Sequence, residues 1–135
     1  YGTKLIMEIP IRVGISPTLN IRGLIASRDI KKNEVLERCP IVLVDHRVDT
    51  AFDNTILNRY CFEWTKSHSA LLLGYGSLYN HSYTPNVRYH FVYTTKEIFF
   101  RALRHIKEGE ELFVNYNGDP ADQTTIEGYY TDGKH

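Results

Sequence analysis

Cysteine is nearly absent from this 135-residue chain. Only Cys39 and Cys61 occur, with no CxxC pair and no histidine at ligand spacing beside them. A tetrahedral zinc site needs four ligands, so no structural metal is expected. Two isolated cysteines fit the reduced thiols of an intracellular protein better than a disulfide scaffold. An excess of charge of either sign is also missing, because 16 Lys plus Arg offset 16 Asp plus Glu. Proteins that hold nucleic acid through a bulk positive field need such an excess, so direct nucleic-acid binding is not expected. No run approaches the roughly 18 apolar residues of a membrane span, and no signal-peptide pattern opens the sequence. The expected setting is therefore intracellular and away from membranes. Glycine-rich loops of the GxGxxG kind are lacking as well, which argues against a Rossmann cofactor site.

What the chain does have is tyrosine, ten residues against a single tryptophan. Tyrosine buries a large ring yet leaves a hydroxyl to place, which suits the wall of a partly wet pocket as well as a core. The length corresponds to one domain, residues 1–135, able to bury roughly two-thirds of its unfolded surface. Apolar content of 42% and charged content of 24% are ordinary for a globular chain, so composition alone assigns no activity.

Alternation of side chains predicts a β-rich fold. Lys4 to Val13 reads as a strand, with Pro10 confining it to an edge or bulge. Ser16-Pro17-Thr18-Leu19-Asn20 is a loop, and Gly23-Leu24-Ile25-Ala26-Ser27 a short buried strand. The clearest strand runs from Val35 to Asp45, around Ile41-Val42-Leu43-Val44. Residues 55–65 read as a short helix, and residues 86–100 as a hairpin about Thr94-Thr95-Lys96. One internal echo is present: Arg28-Asp29-Ile30-Lys31-Lys32-Asn33-Glu34-Val35-Leu36 matches Arg104-His105-Ile106-Lys107-Glu108-Gly109-Glu110-Glu111-Leu112 at five of nine places. Each copy is an apolar anchor, a turn and a strand start, which is scaffold and not a domain duplication.

Two motifs carry the functional signal. Leu78-Tyr79-Asn80-His81-Ser82-Tyr83-Thr84-Pro85-Asn86 is an Asn-His-Ser turn closed by Pro-Asn. Read alone it is a well-capped loop without chemistry. A Ser-His hydrolase is disfavoured, because adjacent residues rarely aim at each other as nucleophile and base and no G-x-S-x-G elbow exists. Further on, Glu110-Glu111-Leu112-Phe113-Val114-Asn115-Tyr116 is an acidic-apolar strand ending in tyrosine.

Together, and with Ile21-Arg22-Gly23-Leu24-Ile25-Ala26 upstream, these segments resemble the signature motifs of SET-domain protein lysine methyltransferases. The resemblance covers roughly residues 5–120, and its nearest analogues are the minimal, stand-alone type without flanking zinc modules. It implies a mainly β fold of several short sheets, one or two short helices and a C-terminal pseudoknot in which the Tyr116 segment threads beside the Asn-His-Ser loop. It further implies S-adenosyl-L-methionine as cofactor and a lysine-bearing protein or peptide, by analogy a histone tail, as substrate. Tyr116 takes the position of the catalytic tyrosine. Arg22, Gly23, Asn80 and His81 fall at cofactor-binding positions, and Tyr129 or Tyr130 could stack on adenine or simply dock the tail. Tyr60, Tyr75, Tyr79 and Tyr89 are candidates for the lysine channel, with core packing an equal alternative for Tyr60 and Tyr79. In a eukaryote the implied location is the nucleus or chromatin; otherwise it is the cytoplasm.

Three departures from the family pattern stand out. Ile21 occupies the place of the first glycine in the usual G-x-G, and Asn115 the place of a frequent Asp. Tyr83 stands where zinc-bearing relatives carry Cys, and the tail has no C-x-C cluster. The channel would then have to be closed by the short tail, about residues 117–135, or by a second subunit in a homodimer. A SET-like module that has lost catalysis and only binds is the competing reading; the retained Tyr116 and Asn80-His81 argue against it.

Overall fold

A computed structural model of the chain describes residues 8–126. The described residues form nine short strands and three 3-10 turns. The central sheet has five antiparallel strands in the order β4-β5-β3-β8-β7. These are β3 (Val35–Asp45), β4 (Phe62–Thr65), β5 (His68–Leu72), β7 (Val87–Val92) and β8 (Glu97–Ala102). Two small ribbons complete the fold: β1 (Ile11–Ile15) with β2 (Arg22–Ala26), and β6 (Asn80–His81) with β9 (Phe113–Val114). Among the described residues no helix is long and apolar enough to cross a membrane.

The long strand β3 follows from its period-2 pattern, and the β7–β8 hairpin turns at Thr94-Thr95-Lys96 as expected, with Lys96 in the left-handed region at φ 54. Two local expectations are corrected. Among the described residues the first strand starts after Pro10 and runs to Ile15, while residues 4–7 of the expected strand lie outside them; Pro10 has no N–H for a ladder, and its carbonyl instead accepts from Ser27 at 3.0 Å. Residues 55–65 are not one helix but a 3-10 turn, Ile56–Tyr60, followed by β4. Cys61 is extended, and Phe62-Glu63-Trp64-Thr65 then alternates so that Trp64 is buried between exposed neighbours. Trp64 stacks on Phe91 with ring centroids 5.3 Å apart, and this aromatic packing outweighs local helix preference.

The internal echo forms a pseudo-symmetric clasp. Ile30 and Ile106 exchange backbone hydrogen bonds of 2.8 and 2.9 Å. The left-handed residue of each turn, Asn33 (φ 72) or Gly109 (φ 91), donates its N–H across to Ala102 or Ala26. Each copy also holds itself alike: Glu34 pairs with Arg28 and Glu110 with Arg104, and each glutamate accepts the backbone N–H of Lys31 or Lys107. The two units thus bond to each other within the chain. Ile30, Leu36, Ile106 and Leu112 from these units join Leu24, Val87, Ile98, Phe100 and Ala102 in one core.

Candidate active site

The two motifs meet through β6 and β9, a parallel pair with Asn80 opposite Phe113 and His81 opposite Val114. Asn86 adds a clamp. Its amide donates to the Glu111 carbonyl at 2.8 Å and its oxygen accepts the Phe113 N–H at 2.8 Å. On the opposite edge of the same segment, Leu112 donates to Leu24 and Ala26 to Glu110, both at 2.8 Å. The strand leading to Tyr116 is therefore gripped between β2 and the Asn-His-Ser loop, which is the threaded arrangement expected of the C-terminal pseudoknot.

Tyr116 is fixed at both ends. Its backbone N–H donates to His81 Nδ1 at 3.0 Å, and its hydroxyl donates to the Tyr79 carbonyl. An Nδ1 that accepts a backbone N–H cannot carry a proton, so His81 is neutral with its proton on Nε2. Burial acts in the same sense and holds the His81 pKa below its ordinary value. The ring thus positions Tyr116 and is not poised as a general base.

Tyr116 lines a cleft of about 500 Å³ together with Arg59, Tyr60, Cys61, Phe62, Glu63, Gly76, Ser77, Tyr79, Tyr89 and Asn117. Three of the four tyrosines expected in the channel, Tyr60, Tyr79 and Tyr89, come together there. Tyr75 is not among the lining residues; it packs against the core and donates its N–H to Glu37 Oε2 at 2.9 Å. Tyr79 is 1% exposed and stacks on Phe100 with centroids 4.3 Å apart. It serves core and cleft at once. Phe62 meets Tyr89 edge-on at 4.9 Å, and burial pushes the Tyr89 hydroxyl up to about 12. This wall is aromatic, and Arg59 and Glu63 also line the cleft.

Arg22, Gly23, Asn80 and His81 cluster beside this cleft without lining it. The Asn80 amide donates to the Arg22 carbonyl at 3.1 Å and to Glu111 Oε2 at 2.9 Å. Gly23 lies directly against that contact: a Cβ there would sit 2.6 Å from Glu111 Oε2 and 2.7 Å from Asn80 Nδ2. Tyr129 and Tyr130 lie outside the described residues.

The departures acquire structural roles. Tyr83 stacks edge-on with His81 at 4.4 Å, and its hydroxyl accepts the Ile126 N–H at 3.0 Å while its carbonyl accepts from Gln123. The tail therefore docks on the motif loop through a tyrosine. Asn115 uses both ends of its amide: the nitrogen donates to Asp122 O at 2.6 Å and the oxygen accepts the Asn117 N–H at 2.9 Å. An aspartate could not make the first bond.

Glu37, Phe62, Cys61 and Glu111 were not singled out from sequence. Glu37 had one available signal, since it is the charged member of the alternating face that carries Cys39, Ile41 and Leu43. A separate chain of contacts, Asp53 to His46 at 3.2 Å and His46 to Ser69 at 2.8 Å, has the connectivity of a hydrolytic triad. Ser69, however, lies inside β5 and is paired on both sides, with Val44 and Glu63. Its surroundings are ladder backbone and not free donors for an oxyanion.

Comparison with known proteins agrees with this geometry. The family model described as SET domain matches residues 21–117. The histone-lysine N-methyltransferase of Schizosaccharomyces pombe specific for H3 lysine-37 is 31% identical over 96 residues. That match covers 70% of this chain and 65% of the relative, so the chain spans somewhat under two-thirds of that protein's length. A Plasmodium falciparum protein described as a candidate histone methyltransferase superposes with a TM-score of 0.64 at 32% identity, covering 82% of this chain and 95% of that one. Polycomb Repressive Complex 2 of Chaetomium thermophilum, solved with S-adenosylmethionine, shares the fold with a TM-score of 0.64 at 23% identity, over 82% of this chain and 15% of its own.

Proposed function

Because the chain belongs to the SET domain family, we propose that it is a protein-lysine N-methyltransferase that uses S-adenosylmethionine and acts on a histone tail or a similar basic segment. The observation that carries this reading is the convergence of the Tyr116 hydroxyl, the Tyr79 carbonyl and two further tyrosines, Tyr60 and Tyr89, on one cleft.

The chemistry asks little of a base. A lysine amine must be neutral to attack, and reaching neutrality at pH 7 from a pKa of about 10.4 costs roughly 4–5 kcal/mol. An aromatic cleft lowers that cost by withdrawing solvent from the ammonium. Its narrow walls also align the amine, which is where most of the acceleration arises. Tyr116 directs its proton to the Tyr79 carbonyl, so its oxygen offers lone pairs toward the reacting centre. There it can accept an amine N–H or weak C–H contacts. His81, by holding the Tyr116 N–H, sets where that hydroxyl sits.

The residues present fit the cofactor. Asn80 Oδ1 is buried and has no hydrogen-bond partner among the described residues, an acceptor awaiting a donor. Gly23, having no Cβ, leaves room for the Asn80–Glu111 contact that orients this amide. S-adenosylmethionine, when bound, supplies an electrophilic methyl group. Incubation with labelled S-adenosylmethionine and core histones tests the reading. Label should appear on lysine and be lost or strongly reduced in Tyr116→Phe and His81→Ala. Absence of cofactor binding by calorimetry, even with a substrate peptide present, would sink it.

A further inference from the structure

Glu37 is buried in β3, and its Oε2 accepts the Tyr75 N–H at 2.9 Å from a segment 38 residues further on. What it holds is the start of a turn. Tyr75 caps the 3-10 turn Gly76–Leu78, in which the Leu78 N–H returns to the Tyr75 carbonyl at 2.8 Å, and the chain then extends at Tyr79. The Tyr79 carbonyl is the acceptor of the Tyr116 hydroxyl. One short turn therefore joins the N–H that Glu37 accepts to the carbonyl that Tyr116 is bonded to. That turn lies close against the sheet: a Cβ at Gly74 would come within 2.5 Å of Glu37 Oε2, and one at Gly76 within 3.0 Å of Cys39 Sγ. Beyond the turn, the Tyr79 ring is held by stacking on Phe100, and the next residue by the pairing of Asn80 with Phe113. Neither contact fixes the peptide plane of the Tyr79 carbonyl from the upstream side. The Glu37 hydrogen bond does.

We propose that Glu37 is a positioning residue for the Tyr116 hydroxyl: by accepting the Tyr75 N–H it fixes the turn, and with it the direction of the Tyr79 carbonyl to which Tyr116 donates. Glu37 does not itself line the cleft. Its effect on turnover rests on the methyltransferase reading above; its hold on Tyr116 does not.

A double-mutant cycle in urea unfolding tests that hold without substrate. In the wild type, Tyr116→Phe removes one net hydrogen bond and should raise the unfolding constant about fivefold. In a Glu37→Ala background the Tyr79 carbonyl is no longer aimed, and the same change should cost less than about twofold. Glu37→Leu keeps the volume without the acceptor, and serves if the Ala variant does not fold. In turnover, Glu37→Ala should lower kcat about tenfold or more through misplacement of Tyr116, with the peptide KM changed less than about threefold. Glu37→Gln keeps an acceptor for the Tyr75 N–H and should recover most of that rate. Equal costs of Tyr116→Phe in the two backgrounds overturn the proposal and mark Glu37 as scaffold alone. So does an unchanged kcat in Glu37→Ala, or a loss in Glu37→Gln as large as in Glu37→Ala. A wild type without methyl transfer removes the reading of the activity instead, and the unfolding cycle then decides the proposal by itself.

Discussion

Replacing Glu37 by glutamine should stabilise the protein at neutral and alkaline pH and leave its stability unchanged in acid. Glu37 is 5% exposed, and its Oε2 accepts the Tyr75 N–H at 2.9 Å while Oε1 has no partner among the described residues. Burial raises its pKa, opposed in smaller measure by the hydrogen bonds from Tyr75 and Cys39. The neighbouring Cys39 thiol and Tyr79 hydroxyl are also pushed up by burial and stay neutral through the range of interest. In the unfolded chain Glu37 ionises near pH 4.3. In the folded protein it keeps its proton to higher pH. The stability associated with it is thus fully present below about pH 4 and falls as pH rises through the folded pKa. Each unit of that upward shift is worth about 1.4 kcal/mol, which is several degrees of Tm for a domain of this size. Glutamine keeps an oxygen for the Tyr75 N–H but cannot ionise, so it escapes the loss. Alanine leaves that buried N–H unsatisfied and should cost about 1–3 kcal/mol at every pH. Thermal unfolding followed by circular dichroism from pH 4 to 8.5 reads all three proteins. A Tm difference between Glu37→Gln and wild type that does not grow with pH, or a wild type that is the more stable at pH 8, would refute the reasoning.

Asn115→Asp should lose the donation to Asp122 O and loosen the tail, at about 1–2 kcal/mol; amide exchange of residues 117–126 should rise while that of the central sheet is unchanged. Gly23→Ala should weaken cofactor binding at least tenfold in calorimetry, because its Cβ meets Glu111 Oε2 at 2.6 Å, yet leave the β1–β2 ribbon intact by circular dichroism. Acid should impair turnover through His81. Its folded pKa is depressed, so the stability linked to its neutral form is present above about pH 6.5 and lost as pH falls below. Protonated Nδ1 cannot accept the Tyr116 N–H, and a rate profile flat from pH 7 to pH 5 would contradict this.

How much could be foreseen differs element by element. The strand Val35–Asp45 and the β7–β8 hairpin were legible because alternation and turn residues are local signals. The hairpin of β4 and β5 was not, since its turn at Lys66 and Ser67 contains no glycine, asparagine or proline and its strands are short. The meeting of Tyr116 with His81 was legible only through the paired motifs; nothing in either segment alone indicates a contact across 35 residues. Glu37 stood out locally only as a charge on the alternating face of β3; its partner Tyr75, 38 residues away, was illegible for the same reason. Tyr83 and Asn115 look like defects in a motif and prove to be tail-docking residues. Their value depends on what the tail does, which no local pattern records.

The mutual clasp of the two echo units bears on how the chain comes to be folded as it is made. Beyond the pairing of β1 with β2, Ala26 bonds to Gly109 and Glu110 and Leu24 to Leu112, while Ile30 pairs with Ile106. The N-terminal ribbon therefore has no finished docking surface until residues beyond 112 have left the ribosome. Folding of this part must wait for the segment around Leu112, with the slow, long-range closure typical of non-local strand pairing. The Asn-His-Ser loop and Tyr116 come together in that same last event. A nascent or truncated chain ending before Leu112 is thus a chain without a site, which ties the onset of function to the emergence of the segment from Glu110 to Tyr116.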